Sequence, residues 1–214
     1  MPSTTTNPKD NLRVYPRSEV VVVYKTKELF GGLSNMASGY PLRINGVRIL
    51  TTEALYQSCR YPHLPDVQQT IIDQHSPMTA KMKGKPYRKD SRPDWGEVRY
   101  KVMRWCLRVK LAQNYKEFGR LLLATRERPI VEQSRKDDYW GALASMNDDV
   151  LIGQNVLGRL LMELREILKQ DSEERLKLVP ALSIPDFLLL GEPIGAICAD
   201  SEHSGEVRKQ PPLF

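Results

Sequence analysis

Leu42-Arg-Ile-Asn-Gly-Val-Arg-Ile49, followed almost at once by Thr51-Thr-Glu-Ala-Leu-Tyr-Gln57, decides the fold class. The first stretch alternates apolar and polar residues about Asn45-Gly46, the dipeptide best suited to a two-residue hairpin turn. In the second, a Thr cap precedes Glu53 and an apolar helical repeat, so the chain passes from sheet to helix within a few residues. Upstream, the β-branched run from Glu19 to Lys25 suits a buried strand. Downstream, the 3.6-residue period predicts helices over Thr52–Arg60, Asp66–Gln74, Ser76–Lys83, Trp95–Gln113, Tyr115–Thr125 and Asn155–Lys169, with a short strand at Pro129–Gln133. The expected fold is α+β: a mostly helical single domain with a small β-sheet and hairpin.

A chain of 214 residues can close one hydrophobic core without splitting. Residues 1–17, rich in Thr, Asn and Pro, read as a mobile leader, 18–170 as the catalytic domain, 171–198 as a linker plus an apolar extension docking on the core, and 199–214 as a loose tail. No apolar run approaches the ~20 residues that span a bilayer. Met1–Asp10 lacks an apolar signal core, so a cytoplasmic protein is expected. The cysteines Cys59, Cys106 and Cys198 and the histidines His63, His75 and His203 show no metal-ligand spacing, and neither metal nor cofactor is expected. The net charge of +6 is concentrated: Lys81 to Lys110 holds eleven Lys/Arg against three acids. That density favours a phosphate-bearing or nucleic-acid ligand, although a solvated basic helix face has the same composition.

Four segments carry chemistry. Phe30-Gly-Gly-Leu-Ser-Asn-Met36 is a glycine loop in which Gly32 permits close approach and Ser34 and Asn35 offer hydrogen bonds; a plain turn reads the same. Glu53 and Gln57 are i,i+4 neighbours beside Tyr56, suited to acid/base work with Gln57 orienting substrate, or simply to complementing the helix dipole. Lys81-Met-Lys-Gly-Lys-Pro-Tyr-Arg-Lys89, running to Trp95, interleaves cations and aromatics as a phosphate- and base-binding segment does. Last, Asp137-Asp-Tyr-Trp-Gly141 leads to Gly153-Gln-Asn155 before a helix, a natural pyrophosphate seat, with Asn155 also suited to capping.

In order, Gly32-Leu-Ser-Asn-Met36, Thr52-Glu53 with Tyr56-Gln57, Ser76-Pro-Met78, Lys85-Pro-Tyr-Arg88, Asp94-Trp95, Asp137-Asp-Tyr-Trp-Gly141 and Gly153 to Arg165 resemble the NADAR (YbiA-like) family. That resemblance implies the family's fold and an enzyme acting on N-glycosidic linkages of ribosylated bases. The chain departs from the riboflavin-pathway branch, reading Trp140-Gly-Ala-Leu143 where that branch has WGDG. It also adds Asp90-Ser-Arg-Pro93 and the Ile184–Gly191 extension. These features resemble the branch paired with a DarT-type DNA ADP-ribosyltransferase toxin. They imply an ADP-ribosylguanine glycohydrolase acting on DNA, or on free ADP-ribosyl guanosine, as its antitoxin. The alternatives are an N-glycosidase of ribosylaminopyrimidine intermediates and a non-catalytic module that binds ADP-ribose or NAD.

Cleaving an N-glycoside builds positive charge at the anomeric carbon and negative charge on the departing nitrogen, work for paired carboxyls. Glu53 and Asp137 are the candidates. Lys81, Arg88 and the amides before Asn155 would meet phosphate, while Tyr56, Trp95 and Trp140 would stack a base, with Gly141 and Gly153 shaping the site. Lys25, on the Val21/Val23 face, is the candidate amine for a Schiff-base route, with Lys27 its rival.

Overall fold

The computed structural model describes residues 11–199; residues 1–10 and 200–214, with most of the expected tail, lie outside them. Two sequence-distant halves build the main sheet. Strands β1 (Arg13–Pro16), β2 (Val21–Val23), β5 (Ile130–Ser134), β6 (Ala142–Ala144) and β7 (Val150–Gly153) form five strands ordered β1-β7-β6-β5-β2. β2 runs parallel to β5 and β5 to β6, whereas β6–β7 and β7–β1 are antiparallel. The parallel pair β2–β5 is apolar on both faces: Val23 and Ile130 pack with the helices, and Val131 packs with Tyr15, Val20, Ala142 and Leu151 on the other side.

Order therefore begins earlier than the sequence reading placed it. Arg13–Pro16 is an edge strand on β7 rather than part of a leader ending at Arg17, and Pro16 is tolerated because it ends that strand. The hairpin forms where Asn45-Gly46 predicts it, β3 (Leu42–Ile44) against β4 (Val47–Ile49), with both turn residues at positive φ. It makes its own two-stranded sheet, separate from β2.

Helices α1 (Thr52–Ser58), α2 (Pro65–Ile72), α3 (Pro77–Gly84), α4 (Trp95–Gln113), α5 (Tyr115–Leu123) and α6 (Val156–Lys169) pack around the sheet. Their sequence spans were legible because start signals are strong: Thr51 and Ser76 cap α1 and α3 with side-chain oxygens, and Pro65 and Pro77 open α2 and α3. The central helix α4 buries Val98, Val102, Trp105, Cys106 and Val109, and α6 buries Leu157, Leu160, Leu161 and Leu164. None of the helices is long and apolar enough to cross a membrane, among the described residues.

Asp171 ties down the segment after α6: its carboxylate accepts from the Arg175 and Leu176 amides and from the Tyr115 hydroxyl. Short pairs β8 (Leu178–Val179) with β11 (Ile197–Cys198) and β9 (Leu188–Leu189) with β10 (Glu192–Pro193) follow. Phe187 and Leu189 are buried, Phe187 edge-on to Trp105 at 4.9 Å. The insert at Asp90–Pro93 and this extension grip each other, since buried Arg92 is bidentate to Asp94 and donates to the Pro185 carbonyl.

Candidate active site

A cavity of about 450 Å³ opens past the carboxyl ends of parallel β2 and β5, where strand ends and loops of an α/β sheet leave room for a ligand. Three carboxyl groups line it. Glu53 enters from the first turn of α1, its N–H donating to the Asn35 carbonyl at 3.2 Å and its Oε1 accepting from Gln57 Nε2 at 2.9 Å. Burial raises its pKa, with the Lys81 cation and the Gln57 bond opposing.

The second carboxyl, Glu132 on β5, was read only as part of a strand. Its N–H donates to Asn155 Oδ1 at 3.1 Å, and its side chain bonds Ser34. Desolvation, then the charges of Glu53 and Asp137, push its pKa up to about 8, so it keeps a proton at neutral pH. Asp137 follows in the loop after β5. One of its oxygens accepts from the Tyr139 and Trp140 amides at 3.1 and 2.8 Å, which orders the loop that carries Trp140 and Gly141 to the cavity wall. At Gly141 an added Cβ would stand 2.5 Å from the Glu132 carbonyl, so only glycine fits so close to β5.

Aromatic and cationic side chains line the same cavity. Tyr56 lies 5.1 Å from Trp95 and 5.7 Å from Trp140, centroid to centroid. Burial first, then the Glu53 charge, raises the Tyr56 phenol well above its ordinary range, so it stays a donor. Lys81 of α3 and Arg88 line the cavity, joined by two arginines the sequence reading did not single out. Arg60 is held by Ser91 Oγ at 2.6 Å and lies 5.4 Å over the Trp95 ring, so the Asp90–Pro93 insert reaches the site through it. Arg99 stacks 4.0 Å over Tyr139 and keeps a buried Nε without a partner among the described residues. Ser34 and Asn35 are buried in the wall, with Asn35 Oδ1 likewise unpartnered among the described residues.

Eleven of the expected residues thus meet in one cavity: Ser34, Asn35, Glu53, Tyr56, Gln57, Lys81, Arg88, Trp95, Asp137, Trp140 and Gly141. Four do not. Lys25 is 69% exposed and pairs with Glu28 at 3.7 Å, so it is not the desolvated amine expected of a Schiff-base lysine. Gly32 packs instead against Tyr40 and Leu121, either of which an added Cβ would strike, and its carbonyl accepts from Lys110. At Gly153 a Cβ would meet the Gly141 carbonyl at 2.4 Å, so that glycine serves strand packing. Asn155 is fully buried at positive φ, makes no side-chain cap, and ties Ile130 and Glu132 of β5 to α6. The pyrophosphate seat is closed as well: the amides of Asn155, Val156 and Leu157 donate to the carbonyls of Gly141, Tyr139 and Trp140.

Beneath the glycine loop, Lys110 is completely buried, donating to the Gly32 and Ser34 carbonyls at 2.6 and 3.0 Å and facing the Tyr40 and Phe118 rings at 4.5 Å each. Burial brings its pKa down to about 7, opposed by the Glu132 charge. Apolar periodicity hides a lysine on a buried helix face. For Glu132 the signal was present in Ile-Val-Glu-Gln, a carboxylate at the carboxyl end of a buried strand.

Carboxyls, packed aromatic rings and guanidinium groups brought together in one cavity define a site for a charged, ring-bearing ligand undergoing acid/base chemistry. Residues 22–169 match the NADAR domain, and the chain belongs to that family. N-glycosidase YbiA of Escherichia coli is 35% identical over 147 residues, 69% of this chain and 87% of that protein. A riboflavin biosynthesis protein of Vibrio vulnificus is 30% identical over 70% of this chain, which spans 39% of that longer protein. The NMR structure of E. coli YbiA superposes with a TM-score of 0.59 at 31% identity, covering 73% of this chain and 92% of that one.

Proposed function

We propose that this protein is an N-glycosidase that hydrolyses the bond between ADP-ribose and the guanine amino group in DNA, as antitoxin to a DarT-type ADP-ribosyltransferase. The observation that carries the reading is that one cavity holds three carboxyl groups (Glu53, Glu132, Asp137) beside aromatic rings and cations (Tyr56, Trp95, Trp140, Arg60, Arg88, Arg99). The carboxyls suit the glycosidic carbon, and the rings and cations suit bases and diphosphate. Specific support for this branch comes from the insert, whose Ser91 holds Arg60 in the cavity while Arg92 locks to the C-terminal extension.

Chemistry follows from unequal carboxyls. Glu132 holds a proton at neutral pH and donates it to the departing guanine nitrogen. Glu53, whose pKa burial raises while Lys81 and Gln57 favour its charged form, takes a proton from the attacking water, whose oxygen bonds to the anomeric carbon as the carbon–nitrogen bond breaks. Asp137 adds negative potential opposite the developing oxocarbenium charge. For a route through the ring-opened sugar, the amine in the cavity is Lys81, replacing Lys25.

A rival reading, an N-glycosidase of ribosylaminopyrimidine intermediates, is favoured by the similarity to the Vibrio vulnificus protein. Purified protein given an oligonucleotide bearing ADP-ribosylguanine, and separately a ribosylaminopyrimidine phosphate, decides between them. ADP-ribose released from the first at a far higher kcat/KM is expected; turnover of the second alone overturns the proposal, and stoichiometric binding of ADP-ribose without turnover makes the protein a reader.

A further inference from the structure

Helix α3 docks through its smallest residues. Ala80 and Gly84 are buried one turn apart, Gly84 against Ile71 and Tyr61, whose hydroxyl donates to the Gly84 carbonyl at 2.7 Å. The opposite face is left outward: Met78, Lys81, Met82 and Lys85 follow at i, i+3, i+4 and i+7 and are all exposed, Met78 and Met82 by 57% and 52%. Met78 and Lys81 also line the cavity, so this stripe begins inside the site and runs out of it. The 3-10 turn Lys85–Asp90 extends it, sending Arg88 back to the cavity while Tyr87, 40% exposed, and Lys89 stay outside. Lys83, Lys85 and Lys89 make no ion pair among the described residues.

We infer that this shoulder, Met82, Lys85, Tyr87 and Lys89, is a binding surface for the single-stranded nucleic acid that flanks the modified base. The inference rests on the proposed reaction. A base attached to a strand reaches an enclosed cavity only when unstacked, and its neighbouring nucleotides must leave through the mouth where α3 begins. Cations spaced along an exposed face meet successive phosphates, while methionine and tyrosine surfaces take the unstacked bases. An acidic protein partner is the other occupant of such a face, and the competition below separates the two.

Two measurements test this. Binding of an unmodified fluorescent single-stranded oligonucleotide, read by anisotropy across salt concentrations, should weaken at least about tenfold in the Lys85→Gln/Lys89→Gln protein. Its log–log salt slope should become shallower by about 1.4, the share of two single-strand phosphate contacts. The same variant should lose kcat/KM on the modified oligonucleotide in that proportion while free ADP-ribosyl guanosine is processed as in wild type. An unchanged salt slope, or equal losses on both substrates, overturns the surface, as does an acidic peptide of matched charge that displaces the oligonucleotide equally well. If wild type releases ADP-ribose from neither substrate, the proposed reaction falls, and the anisotropy measurement still decides the surface.

Discussion

The carboxyl wall at β5 and α1 and the amino end of α6 are both polar, both flanked by glycine and both spelled in motif-like sequence, yet they end in opposite roles. At the carboxyl wall, Glu53 keeps one oxygen beyond its Gln57 bond, and Glu132 keeps a proton it can give away. At the amino end of α6, Asn155 donates to Ile130 and accepts from Glu132, and three amides are already engaged by loop carbonyls. A polar group acts on a ligand only with hydrogen-bonding capacity the fold has left unused, and a buried group whose capacity is filled is structure.

The largest effect should come from Glu53→Gln, which keeps shape and removes the proton acceptor. Loss of at least about 10²-fold in kcat is expected, with thermal unfolding close to wild type. A variant that turns over modified guanine normally would show that the acceptor lies elsewhere, Asp137 being next.

Asn155→Ala should invert that pattern. It strands the Glu132 N–H and the Ile130 carbonyl, buried groups that each cost about 1–3 kcal/mol when unsatisfied, so destabilisation of roughly 2–6 kcal/mol is expected by denaturant unfolding. The KM of the remaining folded protein should hold. A raised KM with unchanged stability would return Asn155 to the substrate and dissolve the contrast.

The contrast also explains what was legible beforehand. Long amphipathic helices with caps, α4 above all, announce themselves, and so does the Asn45-Gly46 turn. β1, β6 and β7 do not, since each has only three or four residues, too few to show a period, and β1 pairs with β7 across more than half the chain. Of the site, residues clustered in polar motifs were found. Glu132, Arg60 and Arg99 were missed because each stands within an apolar or helical pattern, and only tertiary packing turns them toward one cavity.

Glu132→Gln sharpens the comparison through pH. Folded Glu132 holds its proton to about 8, whereas the unfolded carboxyl releases it near 4.5, so between those values the folded state binds more protons. Its stabilising share is complete below 4.5 and is lost as pH rises to 8. Lys110 acts in the other sense: shedding its proton near 7 when folded against 10.5 unfolded, it makes stability rise with pH across that window. The difference between wild type and Glu132→Gln isolates the first contribution, and the variant should gain relative stability as pH goes from 5 to 8. In wild type, kcat should fall about tenfold per unit above pH 8 as the proton donor is lost, while the variant is slower and flat over that range. An alkaline limb that survives the substitution would remove Glu132 from the proton-donating role.

The smallest effect is expected at Lys25, and it bears on the same distinction. By sequence Lys25 continues the Val21/Val23 alternation and ought to face the cavity, but the strand ends at Val23, and beyond a strand end side-chain alternation no longer dictates direction. Its amine stands mostly in solvent beside Glu28, an exposed i,i+3 pair of the kind worth at most about 1 kcal/mol. Solvation also leaves it outside the desolvated pocket that an imine-forming lysine needs. Lys25→Ala should therefore keep kcat/KM within about twofold, less than 0.5 kcal/mol of barrier. Borohydride added during turnover should label no peptide containing Lys25. A trapped ADP-ribose adduct there would require the segment after β2 to swing into the cavity, and an adduct on Lys81 would place the covalent route on the cavity wall.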